Sequence, residues 1–176
     1  MELLSIGSST CFDHIFELEK IPELGETVEF NFPDLTDIDK TFFGGIAFNS
    51  GVMASSLGIE AECVYFVGGD FYRRGYYSYL RDRGIPCQGI IEVGGKHCGH
   101  CFLFHDRQGR DFKIINTGAS RYADEFDPDR SLISQAEMVM VSPVLNNLAL
   151  KTLELPGNWA KKQRSMVLSA TARSLF

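Results

Sequence analysis

Positive charge is scarce in this sequence. Its 176 residues contain 17 Lys and Arg against 23 Asp and Glu, which gives a formal net charge of −6. Proteins that bind nucleic acid draw much of their affinity from basic side chains on the phosphates, so this charge balance argues against a nucleic-acid partner. The short basic runs Arg73-Arg74 and Lys161-Lys162 are typical of solvated helix faces.

Long apolar runs are also missing. No run approaches the ~18 residues that a membrane-spanning helix needs, and Met1-Glu2-Leu3-Leu4 has no basic stretch of the kind that opens a secretory signal. The five cysteines are odd in number, and no Asn-x-Ser/Thr sequon occurs. Because secreted proteins pair their cysteines, we expect reduced thiols in a cytoplasmic protein with no membrane partner.

The composition is that of one folded domain. Hydrophobic residues make up 44% and charged residues 23% of the chain, close to the average for globular proteins. We find no internal repeat, low-complexity stretch or linker-like run. A length of 176 residues suits one domain, since domains usually run ~100–200 residues. We therefore expect residues 1–176 to form a single unit.

Apolar runs of strand length alternate with segments of helical periodicity. Predicted strands lie at residues 3–6, 26–30, 63–67, 90–93, 101–105, 112–115, 138–141 and 166–168, and predicted helices at 46–57, 71–83 and 146–162. Repeated strand–helix–strand units favour a doubly wound parallel α/β sheet, and the closely spaced strands from 90 to 115 favour a small antiparallel insertion. Ligands of such sheets bind at the carboxyl ends of the strands.

The first candidate binding residue is Asp13, which follows the first predicted strand and the segment Gly7-Ser8-Ser9-Thr10-Cys11-Phe12. A carboxylate at this place can accept two hydrogen bonds at once from neighbouring hydroxyl groups of a sugar. The alternative is an aspartate in a turn or helix cap, which this segment alone favours.

The second candidate is the mouth of the helix predicted at 46–57. Gly44 and Gly45 allow a ligand to approach the backbone closely, and the amides of the first helical turn are unpaired donors. Asn49 adds a donor and an acceptor, which matches what a hydroxyl group needs. The alternative is an ordinary loop-to-helix turn with a buried asparagine.

Further segments follow in order: Asp13-His14-Ile15, Pro22-Glu23-Leu24-Gly25-Glu26-Thr27-Val28, Leu57-Gly58, Val67-Gly68-Gly69-Asp70, Asp106-x-x-Gly109-Arg110 and Gly118-Ala119. With the Gly-Gly-x-Ala-x-Asn helix mouth, this ordered set resembles the ribokinase (PfkB) family of carbohydrate kinases. The resemblance covers essentially the whole chain. Each motif alone is modest, and the set at these spacings is fairly specific.

The resemblance implies a three-layer α/β/α fold with an inserted antiparallel β-lid, made by segments at about 12–43 and 88–116. It implies ATP-dependent phosphorylation of a sugar or nucleoside hydroxyl, with Mg²⁺ accompanying the ATP. Carried over by position, Asp13, Gly44, Gly45 and Asn49 would bind the substrate. Lid-mediated homodimers occur in this family, so a homodimer through the lid is an expectation for this chain as well.

Several positions depart from the family pattern. Gly51 stands where relatives have Ala or a small hydroxyl residue, and Ile46 stands where ribose kinases commonly have Lys. The second family signature, Asp-Thr-x-Gly-Ala-Gly-Asp, does not occur in the 176 residues. That stretch supplies the catalytic base and the anion hole, so we expect the sugar-binding N-terminal portion of a kinase, truncated on the C-terminal side, with no catalytic residue of its own. The alternative is a non-catalytic sugar-binding or dimerising module.

One motif offers a different chemistry. Cys98-Gly99-His100-Cys101 has the spacing of a disulfide-exchange site, and its cysteines and histidines are zinc-ligand types. A strand rather than a helix is predicted after Cys98, which disfavours the redox interpretation. On a strand, His97 and Cys98 point to opposite faces, which disfavours zinc, so we expect no metal site.

Overall fold

The computed structural model describes residues 1–28, 41–142 and 146–155. In chain order the strands are β1 (Leu3–Ser9), β2 (Cys11–Leu18), β3 (Thr41–Gly44), β4 (Ala61–Val67), β5 (Ile90–Glu92), β6 (Gly99–Asp106), β7 (Asp111–Asn116) and β8 (Met138–Val141). The helices are α1 (Ile46–Ser56), α2 (Asp70–Arg73), α3 (Tyr76–Arg81), α4 (Arg130–Gln135) and α5 (Asn147–Glu154), with a 3-10 helix at Gly118–Glu125.

The larger sheet has the strand order β5-β4-β1-β8, and every neighbouring pair is parallel. Its side chains alternate between two cores. Val64 and Phe66 of β4 pack in one core with residues of the 3-10 helix, α4 and α5. Cys63 and Tyr65 pack in the other core with residues of α1, α2 and α3. Helices therefore cover both faces of a parallel sheet, and the predicted three-layer α/β/α fold is confirmed.

A smaller sheet has the strand order β3-β2-β6-β7. The pairings β2–β3 and β6–β7 are antiparallel, as predicted for the lid, whereas the central pair β2–β6 is parallel. The strand predicted at 90–93 does not belong to this sheet. It is β5, which pairs in parallel with β4 at the edge of the larger sheet. The inserted sheet is therefore mixed, and it takes its strands from 11–18, 41–44, 99–106 and 111–116.

Other local predictions need correction. The helix predicted at 71–83 is two helices, because Gly75 adopts a left-handed backbone with φ 82° between α2 and α3. Residues 26–28 are not in a strand, and 29–30 lie outside the described residues. The strand predicted at 166–168 and the end of the helix predicted at 146–162 also lie outside them. Asp13, which the alternative interpretation put in a turn or helix cap, lies inside β2.

The unusual Gly51 has a packing explanation. A Cβ atom built on Gly51 would lie 2.1 Å from the Sγ atom of Cys63, which points from β4 into α1. The Cys63 thiol also donates to the Ala47 carbonyl at 3.4 Å. The sulfur thus occupies the volume that a side chain at position 51 would fill, and the two residues are complementary.

Within the described ranges, none of the helices is both long and apolar enough to cross a bilayer.

Candidate functional site

The small sheet has two chemically different faces, and Asp13 marks one of them. Asp13 pairs with Phe42 of β3 and with Cys101 of β6, and paired residues project to the same side of a sheet. We call this side the Asp13 face, and its residues are Cys11, Asp13, Ile15, Phe42, Gly44, Cys101, Leu103 and Ile115. The opposite side is the His100 face, with Phe12, His14, Phe43, His100 and Phe102.

The structure brings Asp13 and Gly44 into direct contact. A Cβ atom built on Gly44 would lie 2.1 Å from Oδ2 of Asp13 and 2.9 Å from its Cγ. Position 44 must therefore lack a side chain for the carboxylate to lie where it does. The predicted pairing of these two segments has a geometric basis that the sequence did not reveal: the glycine makes room for the carboxylate.

Gly45 joins β3 to α1 and is the N-cap of that helix. Its backbone has φ 118° and ψ 134°, a conformation that side chains other than glycine rarely adopt. Within the described residues no side chain caps α1, so amides of its first turn remain available as donors. These amides and the helix dipole favour oxygen-rich or anionic groups at this end.

Asn49 lies one turn into α1. Its backbone N–H donates to the Gly45 carbonyl at 2.8 Å, and its side chain is exposed. Helical side chains lean toward the N-terminus, so the carboxamide extends toward the end of the helix that holds Gly45. It is not the buried asparagine of the alternative interpretation. Asp13 and Gly44 are thus in contact, Gly45 follows Gly44, and Asn49 lies one turn into α1.

Tyr76 of α3 holds the backbone of Gly44 in place and was not predicted as a site residue. Its buried hydroxyl donates to the Gly44 carbonyl at 2.7 Å. Its ring stacks on Phe43 at 4.6 Å and meets Phe12 edge-on at 5.7 Å. A tyrosine on a helical stripe gives no sequence signal for this contact, because the carbonyl it reaches is 32 residues away in the chain.

The cysteine motif is divided between environments. Cys98 is buried and accepts a hydrogen bond from the Gly68 N–H at 3.3 Å, whereas Cys101 lies on the Asp13 face. Burial raises the pKa of Cys98 to about 12 and also raises the pKa of Cys101, with the Asp13 charge adding to the latter. A disulfide-exchange site needs a thiol of lowered pKa, so the redox alternative does not hold.

Cys11 is a thiol that neighbours the candidate site. It lies two residues before Asp13 on the same face, and its thiol donates to the Phe12 carbonyl at 3.8 Å. Burial, followed by the Asp13 charge, raises its pKa far above the ordinary range. Cys11 is therefore a neutral thiol beside the Asp13 carboxylate. Among the residues that the structure describes, no three His, Cys, Asp or Glu side chains form a group able to hold a metal ion.

The domain has three α/β/α layers and a small sheet beside the carboxyl end of its first strand. It also has a carboxylate over a helix mouth that two glycines open. These features define the class of ribokinase-like proteins. Residues 4–175 match the pfkB family of carbohydrate kinases. The chain belongs to this family.

Two curated relatives and one solved structure illustrate the match. A nucleoside kinase of Methanocaldococcus jannaschii is 27% identical over 128 residues, which are 73% of this chain and 40% of the relative. A ribokinase of Dictyostelium discoideum is 27% identical over 153 residues, 85% of this chain and 46% of the relative. The crystal structure of the M. jannaschii nucleoside kinase superposes with a TM-score of 0.71 at 25% identity, covering 86% of this chain and 48% of that one. This chain thus spans less than half the length of these relatives.

Proposed function

We propose that this chain forms the substrate-binding portion of an ATP-dependent kinase that phosphorylates a hydroxyl group of a ribose-containing sugar or nucleoside. The observation that carries the proposal is the position of the Asp13 carboxylate, which lies directly over Gly44 at the mouth of α1. The relatives' names support a ribose ring as the shared chemistry, since one is a nucleoside kinase and another a ribokinase.

The chemistry at this position is recognition of a diol. An ionised carboxylate has two oxygens and accepts hydrogen bonds from two neighbouring hydroxyl groups. Asn49, one turn along α1, can donate to or accept from a third hydroxyl. The contact with Gly44 gives the carboxylate its place on the sheet before substrate arrives. Such preorganisation fixes the ring so that the reacting hydroxyl points toward the phosphoryl donor.

ATP is the phosphoryl donor that family membership implies. The catalytic base and the anion hole that the resemblance implies are not among the 176 residues, so the chain is expected to bind substrate without turning it over. Mg²⁺ is the ion that the resemblance implies alongside ATP. The Asp13 face acts by binding, orienting and excluding water from the hydroxyl groups.

Isothermal titration of the purified chain with ribose and with inosine tests the proposal. Asp13→Asn keeps the shape and removes the charge, and we expect it to weaken binding by about 100-fold or more, because two charge-assisted hydrogen bonds of ~1.5–3 kcal/mol each are lost. Asp111→Asn, at an exposed aspartate of β7 on the same sheet, is the matched control and should bind normally. Equal affinity of the Asp13→Asn and unmodified chains would disprove the assigned role.

A dimerising module is the second candidate, and a specific observation favours it. Three apolar side chains of the Asp13 face are widely exposed: Ile15 at 42%, Phe42 at 53% and Ile115 at 57%. Exposed apolar groups that share one face of a sheet are typical of contact surfaces. We propose that a second copy of the chain can cover them through the small sheet. Sedimentation equilibrium would show a concentration-dependent dimer, and a strict monomer at millimolar concentration would exclude it.

A further inference from the structure

A polar chain crosses from the small sheet to the α/β layer on the His100 face. Nε2 of His14 lies 2.9 Å from Nδ1 of His100, and Nε2 of His100 lies 3.3 Å from Oδ2 of Asp70. The other oxygen of Asp70 accepts the backbone N–H of Cys98 at 2.7 Å. His14 belongs to β2 and His100 to β6, whereas Asp70 opens α2. These hydrogen bonds therefore connect β2, the strand that carries Asp13, to α2, a helix of the core.

The proton positions in this chain follow from its partners. An ionised carboxylate only accepts, so Nε2 of His100 must carry the hydrogen that it shares with Asp70. Nδ1 of a neutral His100 is then an acceptor, and Nε2 of His14 must donate to it. Both bonds form when both imidazoles are neutral and both carry their hydrogen on Nε2. A second proton on His100 alone would only reverse this bond, because neutral His14 can carry its hydrogen on Nδ1 and accept at Nε2. When both rings are cationic, one donor faces another and the bond breaks.

The surroundings favour the neutral imidazoles. Burial first, then His100 and Arg74, lower the pKa of His14, and the Asp13 charge opposes them. Burial lowers the pKa of His100 against the pull of Asp70, and Arg74 and His97 lower it further. Burial alone would raise the pKa of Asp70, but hydrogen bonds from Cys98 and His100 leave it lowered. Asp70 thus stays ionised while the imidazoles stay neutral near pH 7.

We propose that Asp70, His100 and His14 are positioning residues: their chain fixes β2 on the α/β layer so that Asp13, next to His14, is held against Gly44, and acidification releases this hold and weakens substrate binding. The inference rests on the proposed function for its ligand. The hydrogen bonds that join Asp70, His100 and His14, and their effect on β2, can be tested without ligand. None of the three lies on the Asp13 face, since His14 and His100 project from the opposite face of the sheet and Asp70 belongs to α2.

Long-range ¹⁵N NMR of the histidine rings tests the chain directly. We expect both His14 and His100 to show the Nε2–H tautomer at pH 7.5 and to titrate below the ordinary histidine pKa. A cationic ring at pH 7.5, or a hydrogen on Nδ1 of neutral His100, would overturn the proposal. His105 lies on the same strand and on the other face, so His105→Gln is the matched control for ring assignments.

The effect on binding is tested from pH 7.5 to pH 5, above the range in which carboxyl groups ordinarily titrate. Affinity for ribose or inosine should fall by up to about tenfold per pH unit below the imidazole pKa. His100→Gln keeps a donor for Asp70 and an acceptor for His14 without titrating, so it should bind normally at pH 7.5 and lose most of the decline. His100→Phe should bind weakly at every pH. A decline unchanged in His100→Gln would overturn the proposal.

Hydrogen exchange separates this inference from the proposed function. If neither ligand binds the unmodified chain at any pH, the proposed function fails, and exchange of the β2 amides still decides the positioning role. Protection of β2, corrected for intrinsic exchange, should fall between pH 7.5 and pH 5 and should stay constant in His100→Gln. Constant protection in the unmodified chain would overturn the role of the histidines.

Discussion

The two faces of the small sheet differ in whether their polar groups are already paired. On the His100 face, Asp70, His100 and His14 use one another as partners, and aromatic rings such as Phe12 and Phe102 pack against the imidazoles. On the Asp13 face, the carboxylate lies against Gly44 and among exposed apolar residues. The satisfied face supports structure, and the face with remaining acceptor capacity is suited to a ligand.

Among the variants that test the difference between the two faces, we expect the largest effect at Gly44. Gly44→Ala would put a methyl group in the place of the Asp13 carboxylate, which must rotate away because its Oδ2 lies 2.1 Å from the added atom. We expect substrate affinity to fall by about 100-fold, as for loss of the carboxylate, since 1.4 kcal/mol is worth tenfold. Stability should change much less, because the aspartate side chain can swing toward solvent. Titration calorimetry and urea unfolding of the same variant would give both numbers.

Tyr76 tests the support under both faces. Tyr76→Phe removes the donor to the buried Gly44 carbonyl and leaves the ring packing intact. We expect a loss of ~1–3 kcal/mol in the free energy of unfolding, the typical cost of leaving a buried acceptor without its partner. Tyr72→Phe, at an exposed tyrosine of α2, is the control and should lie within ~0.5 kcal/mol of the unmodified chain. Equal stability of the two variants would contradict this support role.

Asp106, at the end of β6, is a test of how the edge of the small sheet contributes to the stability of both faces. Its buried carboxylate accepts from Ile21, Gln108 and Arg110. Burial raises its pKa, but these hydrogen bonds, led by those from Arg110, lower the pKa from 3.8 to about 2. A lowered carboxyl pKa stabilises the fold above the unfolded-state value and loses that contribution as the pH falls. The unmodified chain should therefore exceed Asp106→Asn in stability at pH 7.

The difference should shrink between pH 4 and pH 2, the interval set by those two pKa values. Thermal unfolding of both chains across this range would measure it. A difference that stays constant down to pH 2 would show that the carboxylate charge does not contribute.

The smallest effect is expected at Phe42. This side chain is 53% exposed, so Phe42→Ser should change the free energy of unfolding by less than ~0.5 kcal/mol. The same change should weaken any dimer formed through the Asp13 face, which sedimentation would detect. A large loss of stability in the monomer would show that Phe42 is packed rather than available.

The sequence predicted those parts of the fold that leave a pattern within a short stretch of residues. The apolar run of β4 and the glycine-bounded helix α1 were predicted correctly because burial on both faces or along one stripe leaves a pattern within a few residues. The pairings were harder. β5 was predicted to pair with the nearby β6 and β7, but it pairs in parallel with β4, a choice made by the tertiary fold.

The candidate site was predictable where chemistry and spacing coincide. Asp13, Gly44, Gly45 and Asn49 stood out as residues that can bind hydroxyl groups, and whether they bind substrate stays a prediction. Tyr76 and the histidine chain were missed, because their partners lie far away in the chain and their residue types also fit a core. His100 was seen only as part of a cysteine motif.

The parallel pairing of β2 with β6 has a consequence for assembly. Cys11 pairs with Gly99 and Leu18 with Asp106, so β2 pairs with a strand that is synthesised much later than itself. Closing such a long loop costs entropy before any ladder bond repays it, which places this pairing among the slow events of folding. On the ribosome, β2 must remain without β6 while α1 and β4 are already complete. The Asp13 face is thus completed only after α1 and β4 have been synthesised.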